Sequence, residues 1–288
     1  RDSAPSHSGC AKAFAQPLWL GAESLEGKSI LLHSEQGFGD TLQFCRYAPL
    51  VAARGARVLL QVQPPLTDVM PGLGKELEIY GTGDQIPDSD FHCPLGSLPL
   101  AFGTRLDTIS GPTPYLLAPP PAVERWRQRL GAPKGVRVAI NWAGNPKFKG
   151  DGTRSIGLAP LLPLTSANAI QFYSIQKDLR PGDADILRAH PEIEHLGPEF
   201  ETFGAPAAAI SLMDVVISSD TAVVHLAGAL GKPVWTLLER VPDWRWHVDR
   251  DDSPWYPTAR LFRQDKTRTW ESAVERVRAE LTTLAGAS

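Results

Sequence analysis

Apolar and polar positions alternate along the chain in two series. In the first, KSILLHSEQ (28–36) reads as a buried strand, DTLQFCRYAPLVAARG (40–55) as a helix closed at Gly55, and ARVLLQVQ (56–63) as the next strand, together one βαβ unit. Residues 64–121 are rich in Pro and Gly, with shorter strand candidates at LEIYG (77–81) and DFHCPL (90–95). LLAPPPAVERWRQRLGAPKG, a Pro-rich stop before a short charged helix, has the composition of a linker. A second series follows. VRVAINWAG (136–144), AIQFYSIQ (169–176), EIEHLG (192–197), VVISS (215–219) and PVWTLL (233–238) are strand-like, with helical patterns near 159–165, 180–189, 203–213 and 221–230 and an amphipathic helix at 270–286. Such alternation predicts parallel sheets covered by helices on both faces. The expected fold class is therefore α/β, two Rossmann-like domains (19–118 and 136–288) joined by a linker (119–135), with residues 1–18 a linker remnant. Their strands' C-terminal ends would face a central cleft, where open α/β sheets bind ligands.

Composition narrows the function. With 288 residues, 42% of them hydrophobic, the chain can bury two cores. A net charge of −3 and the lack of any long basic run argue against nucleic acid as a partner. No apolar run is long enough for a membrane span, and the N-terminal residues lack a signal-peptide pattern, so the expected compartment is the cytoplasm. Cys10, Cys45 and Cys93, odd in number and far apart, read as free thiols.

Two strand-to-helix corners collect the polar residues. In HSEQGFGDTLQF, Gly37 and Gly39 would permit a tight turn with open backbone N–H groups, and Asp40, three residues before Gln43, reads either as a helix cap or as a catalytic carboxylate. In SSDTAVVH, Asp220 could cap a helix opening at Thr221, with His225 one turn further on either a core histidine or a ligand-facing one. Other chemistries fit poorly. GFGDTL lacks the third Gly of a dinucleotide loop, EGKS precedes its strand instead of following one, and there is no GxSxG elbow. DSD (88–90) and DRDD (249–252) resemble metal-binding acidic pairs but follow no convincing buried strand, so no metal ligand is assigned.

SSDTAVVHLAGALGKPVWTLL is similar to the D-[ST]-G-x-x-H-x-A-x-A-L-x-x-P segment of glycosyltransferase family 9, the heptosyltransferase-like enzymes, and HSEQGFGDTLQF resembles their N-terminal Gly-Asp segment. The runs GKSILLHSEQGFGDTLQFCRYAP and DWRWHVDRDDSPWYPTARLFRQ resemble more closely the glycosyltransferase domain that follows tetratricopeptide repeats in bacterial proteins, some implicated in glycosylation of flagellin or other proteins. The resemblance spans roughly residues 19–285 and implies a GT-B fold and a metal-independent transferase using a nucleotide-sugar donor and no cofactor. The acceptor would be a protein or glycan, presented by a tetratricopeptide region outside this chain. It implies Asp40 as general base, with Gln36, Gly37 and Gly39 shaping its turn. Thr221, Ala222 and His225 would hold the diphosphate, with Ser219 and Asp220 orienting the loop or a sugar hydroxyl. Lys147, Lys149 and Arg154, in NWAGNPKFKGDGTRSIGL, would add positive charge. Gln176 and Lys177 would touch the nucleoside. Trp244 and Trp246, in a loop that follows a strand end, read on their own as aromatic contacts to donor or acceptor. Ala222 departs from the family's usual Gly. A non-catalytic nucleotide-sugar module and a GT-B epimerase remain as alternative readings.

Overall fold

The computed structural model describes residues 14–109, 113–167 and 169–286. Cys10 and most of the expected N-terminal linker lie outside them. The first sheet holds β1 (Ser29–His33), β2 (Arg57–Val62), β3 (Leu77–Gly81) and β4 (Phe91–Pro94), all parallel, in the order β3-β2-β1-β4. The second holds β5 (Val136–Asn141), β6 (Ile170–Ser174), β7 (Ile193–His195), β8 (Val215–Ser219), β9 (Val234–Leu238) and β10 (Ala259–Arg263), also parallel, in the order β10-β9-β8-β5-β6-β7. The chain thus runs outward from β5 to β7, then returns to β8 and runs the other way. That reversal opens a crevice at the carboxyl ends of β5 and β8.

The helices are α1 (Phe38–Phe44), α2 (Ala48–Ala52), α3 (Leu98–Ala101), α4 (Pro120–Leu130), α5 (Asp151–Arg154), α6 (Asp183–Ala189), α7 (Gly204–Ser211), α8 (Ala222–Ala229) and α9 (Glu271–Gly286). The single helix expected over 40–55 is broken: α1 passes into a 3₁₀ turn at Cys45–Tyr47 before α2. Pro49 explains the break, since it has no N–H for the preceding turn and its ring crowds that turn's carbonyl. The pattern near 159–165 is likewise a 3₁₀ stretch, Ala159–Ser166, containing Pro160 and Pro163.

Both faces of the second sheet are buried. Val215 and Ile217 of β8 join Val138, Ile140 and Leu281 in a core on one face, while Val216 points into a larger core on the other. The larger core runs without interruption from Ile30 and Leu42 beside the first sheet to Val224, Trp246 and Tyr256 beside the second. At the centre of this shared core α1 packs on α8. The two polar corners picked out by the sequence therefore meet. Cys45 and Cys93 are buried free thiols, each pushed up to about 12 by burial. No helix among the described residues is long and apolar enough to cross a membrane.

Candidate active site

The corner after β8 is built by a hydrogen-bond network centred on Asn141, the last residue of β5. Thr221 caps α8: its hydroxyl accepts from the Val223 N–H (3.2 Å) and donates to Asn141 Oδ1 (2.9 Å). Ser218 also donates to Asn141 Oδ1 (3.1 Å). The expectation of an Asp220 cap is corrected. Thr221 holds that place, and its hydroxyl proton already serves Asn141. Asn141 Nδ2 in turn donates to Gln176 Oε1 (2.8 Å), which also accepts from the Trp142 and Ala143 N–H groups, while Gln176 Nε2 donates to the Ala143 and Asp178 carbonyls. Buried and fully engaged, Gln176 braces the loop after β5, and the nucleoside-contacting role expected of it finds no free group.

On the other side of the crevice, Asp40 lies in the first turn of α1. Its Oδ2 accepts from the Gly37 N–H (3.0 Å), the reach-back half of a capping box with Gly37 as N-cap. The Gly37 amide is thus closed by Asp40, not left open. Gly37 and Gly39 both have ordinary backbone angles, so tight-turn freedom is not what selects them. Gly39 is needed for close approach: a Cβ there would stand 2.8 Å from His225 Cδ2. Gln36, exposed, lends its carbonyl to Gln63 Nε2 (2.8 Å), and Thr41 donates to Gln63 Oε1 (2.9 Å), which fastens this turn to the end of β2.

His225 is buried between these elements, its Nδ1 2.8 Å from the Tyr256 hydroxyl and its ring near those of Tyr256 and Trp246. Burial, reinforced by Arg245, Arg46 and Arg154, depresses its pKa well below the usual value, so the imidazole is neutral. Asp220 is shifted the opposite way. Burial pushes its carboxyl up to about 6, assisted by Asp243 and opposed by the Trp246 indole and by Arg154 and Arg245. The Trp246 N–H lies by this carboxylate without reaching hydrogen-bond geometry. Ser219 Oγ and Gln43 Nε2 are also buried without partners, and such orphaned groups mark a place where water or ligand completes the network.

Arg245 joins the two sides. Its guanidinium reaches Asp40 Oδ1, Gln43 Oε1 and, at 2.9 Å, Asp243 Oδ1, and it lies over the exposed Trp244 ring, 4.7 Å from the centroid. The second cation of the crevice is Arg154, 3.6 Å from Asp151 and stacked over Phe148 at 4.3 Å. Asp151 is also paired with Arg180, which donates to the Gly144 carbonyl (2.9 Å) and ties the basic loop down. Lys147 and Lys149 are exposed on that loop, Lys177 reaches only the Glu201 carbonyl (3.3 Å), and Ala222 opens α8. Thus the fold gathers Asp40, Gly37, Gly39, Asp220, Thr221, His225, Arg154 and Trp244, and leaves Lys149, Lys177 and Gln36 at the surface. Trp246, read from the sequence beside Trp244 as a substrate contact, is buried against His225, and Asn141, Arg245 and Tyr256 are site residues that the sequence pattern does not mark. The alternation W-R-W at 244–246 was the one local signal for Arg245.

The acidic pairs lie elsewhere. Asp90 accepts from the Ser29 N–H and hydroxyl, both at 2.8 Å, at the opposite end of β1, and Asp252 pairs with Arg250. Among the described residues no group of three or more His, Cys, Asp or Glu side chains is placed to hold a metal ion.

Two parallel sheets whose carboxyl ends meet across a shared crevice make a GT-B fold, which the chain shares with solved heptosyltransferases and family 9 glycosyltransferases. The family 9 glycosyltransferase of Veillonella parvula DSM 2008 superposes with a TM-score of 0.65 at 10% identity, over 93% of this chain and 100% of that one. The ADP-heptose LPS heptosyltransferase II of E. coli gives 0.59 at 12% identity, over 89% and 99%. In sequence the chain is 22% identical over 289 residues to Protein FlbA of Caulobacter vibrioides, covering 91% of this chain and 48% of FlbA, so it spans about half of that relative's length. No protein-family model matches.

Proposed function

We propose that the chain is a metal-independent glycosyltransferase that moves a sugar from a nucleotide-sugar donor to an acceptor hydroxyl on a protein or glycan. The observation that carries this reading is the placement of two arginines, Arg154 and Arg245, whose fields both reach Asp220 and His225 at the β5–β8 crevice, with Arg245 also paired to the Asp40 carboxylate. A leaving diphosphate must be stabilised as the glycosidic bond breaks, and fixed cations and helix-terminal N–H groups do so without reorganising. Val223 and Val224 donate to Thr221, so a phosphate at this corner would meet the amides ahead of them, at Thr221 and Ala222. The Tyr256 hydroxyl stands 2.8 Å from Nδ1, and the tautomer in which it donates there leaves the His225 proton on Nε2, from which the neutral ring can donate without bringing a charge. Asp220, close to half protonated near pH 6, repels the donor less than an ordinary carboxylate and can bind a sugar hydroxyl. Asp40 takes the acceptor proton as the new bond forms. The ADP-heptose named for the E. coli enzyme makes ADP-sugars the first donors to try.

One observation favours a second reading, a non-catalytic nucleotide-sugar binder: both Asp40 oxygens already accept hydrogen bonds. Turnover separates the two. Donors are found by the rise in melting temperature that a ligand of the folded state produces, and transfer or donor hydrolysis is then followed with EDTA present. Asp40→Asn should lose about 10²–10⁴-fold in turnover, the contribution of general-base catalysis. Turnover near wild type in that variant, or activity abolished by EDTA, would refute the assignment.

A further inference from the structure

Arg245 is 12% exposed, with every edge of its guanidinium engaged: Nε on Gln43, Nη1 on Asp243 and Nη2 on Asp40. Three of its neighbours are carboxylates, since its field also reaches Asp220. It is held by residues from both halves of the molecule, Asp40 and Gln43 from α1 and Asp243 from the loop after β9. Gln43 meanwhile keeps one buried amide nitrogen without a partner. A planar cation in this position is offered two kinds of anion, the Asp40 carboxylate and any phosphate at the start of α8, and one guanidinium edge cannot serve both at full strength.

We propose that Arg245 is a latch and positioning residue for Asp40: it pairs with the carboxylate while the crevice is empty and transfers that edge to the diphosphate when donor binds, releasing Asp40 to accept the acceptor's proton. The inference rests on the nucleotide-sugar reading above. It explains how a carboxylate with both oxygens occupied can serve as a base, and it makes the base available only in the presence of donor. Because the pair must break for donor to bind, Asp40 and diphosphate compete for Arg245 and are negatively coupled.

The test is a thermodynamic cycle with ADP as the probe, titrated calorimetrically into the wild-type chain, Asp40→Asn, Arg245→Ala and the double variant, each checked for folding by its melting curve. Removing the competing charge should make Asp40→Asn bind ADP about tenfold more tightly than wild type, a typical coupling. Arg245→Ala should bind about 10- to 100-fold more weakly, the loss of a charge-assisted hydrogen bond. In the Arg245→Ala background the gain from Asp40→Asn should vanish. Arg245→Lys keeps the charge but not the fork, so its affinity should fall between wild type and Arg245→Ala; it replaces the alanine variant in the cycle if that one fails to fold, the gain then shrinking instead of vanishing. Equal or weaker ADP binding by Asp40→Asn, or a gain that persists undiminished without Arg245, overturns the latch while leaving the donor site standing. Failure of the wild-type chain to bind ADP, UDP or GDP overturns the nucleotide-sugar reading itself.

Discussion

Asp220 and His225 sit near one another yet are pushed toward the same uncharged state by burial, one by holding its proton and the other by losing it. For Asp220 the consequence is a measurable dependence of stability on pH. Its carboxyl, normally near 3.8, is raised to about 6, so between those values the folded chain keeps a proton that the unfolded chain has released. The favourable contribution is complete below the unfolded pKa and is lost as pH rises through the folded one. Asp220→Asn, which stays neutral throughout, should therefore gain on wild type by about 2 kcal/mol between pH 4 and pH 7. Urea midpoints of the two proteins at both pH values give the answer. A gap that stays constant with pH would mean that Asp220 is solvated and free to ionise. His225 does not complicate the comparison, because it is present in both proteins.

At the scale of elements, the contact of α1 with α8 turns on Gly39. A methyl group there would meet the His225 ring at 2.8 Å, whereas one at Gly37 finds Asp40 Oδ2 at an ordinary 3.4 Å. Gly39→Ala should cost about 1–3 kcal/mol, the usual penalty of overpacking, and weaken donor binding by displacing His225. Gly37→Ala, a helix-cap change, should cost less than about 1 kcal/mol. Equal effects at the two positions in denaturant melts would show that the α1–α8 contact is not tight. This contact also marks the limit of what the sequence discloses. The run VVISS announces a buried strand because both faces of a parallel sheet demand apolar residues, and β8 occupies that very span, while LEIYG, a strand candidate, is β3, half-buried at the sheet edge. ARLFR of β10 passed unnoticed as a strand, since its two arginines mask the pattern; Arg260 pairs with Glu280 at the surface and Arg263 donates to the Trp246 and Arg250 carbonyls. The two polar corners were legible as local clusters. Arg245 was not, because its meaning lies in Asp40, Gln43 and Asp220, none of them near it in sequence except through the fold.

For the molecule as a whole, one buried core runs through both halves, and they should unfold together. Arg46, 3% exposed, is its central polar tie: the guanidinium donates to the Gln43 carbonyl (3.0 Å), the Trp255 carbonyl (2.9 Å) and the Tyr115 hydroxyl (3.0 Å), enclosed by the rings of Tyr115 and Tyr256 at 4.3 and 5.1 Å. Tyr115 then donates to the Leu42 carbonyl (2.8 Å), while its own N–H and that of Leu116 bond the Ala229 carbonyl at the end of α8. A buried cation is tolerable here because carbonyl dipoles and aromatic faces replace its hydration. Arg46→Ala leaves those acceptors without their donor and opens a cavity between the rings, so it should lower stability by about 3–5 kcal/mol. The loss should be felt by both sheets at once, since the residue touches α1 on one side and the segment before β10 on the other. Calorimetry of wild type should show one transition with matching calorimetric and van't Hoff enthalpies, and Arg46→Ala one transition at lower temperature. A variant melting curve that splits, with part remaining at the wild-type temperature, would mean that each half holds its own fold and that the crevice is assembled by docking instead of by folding.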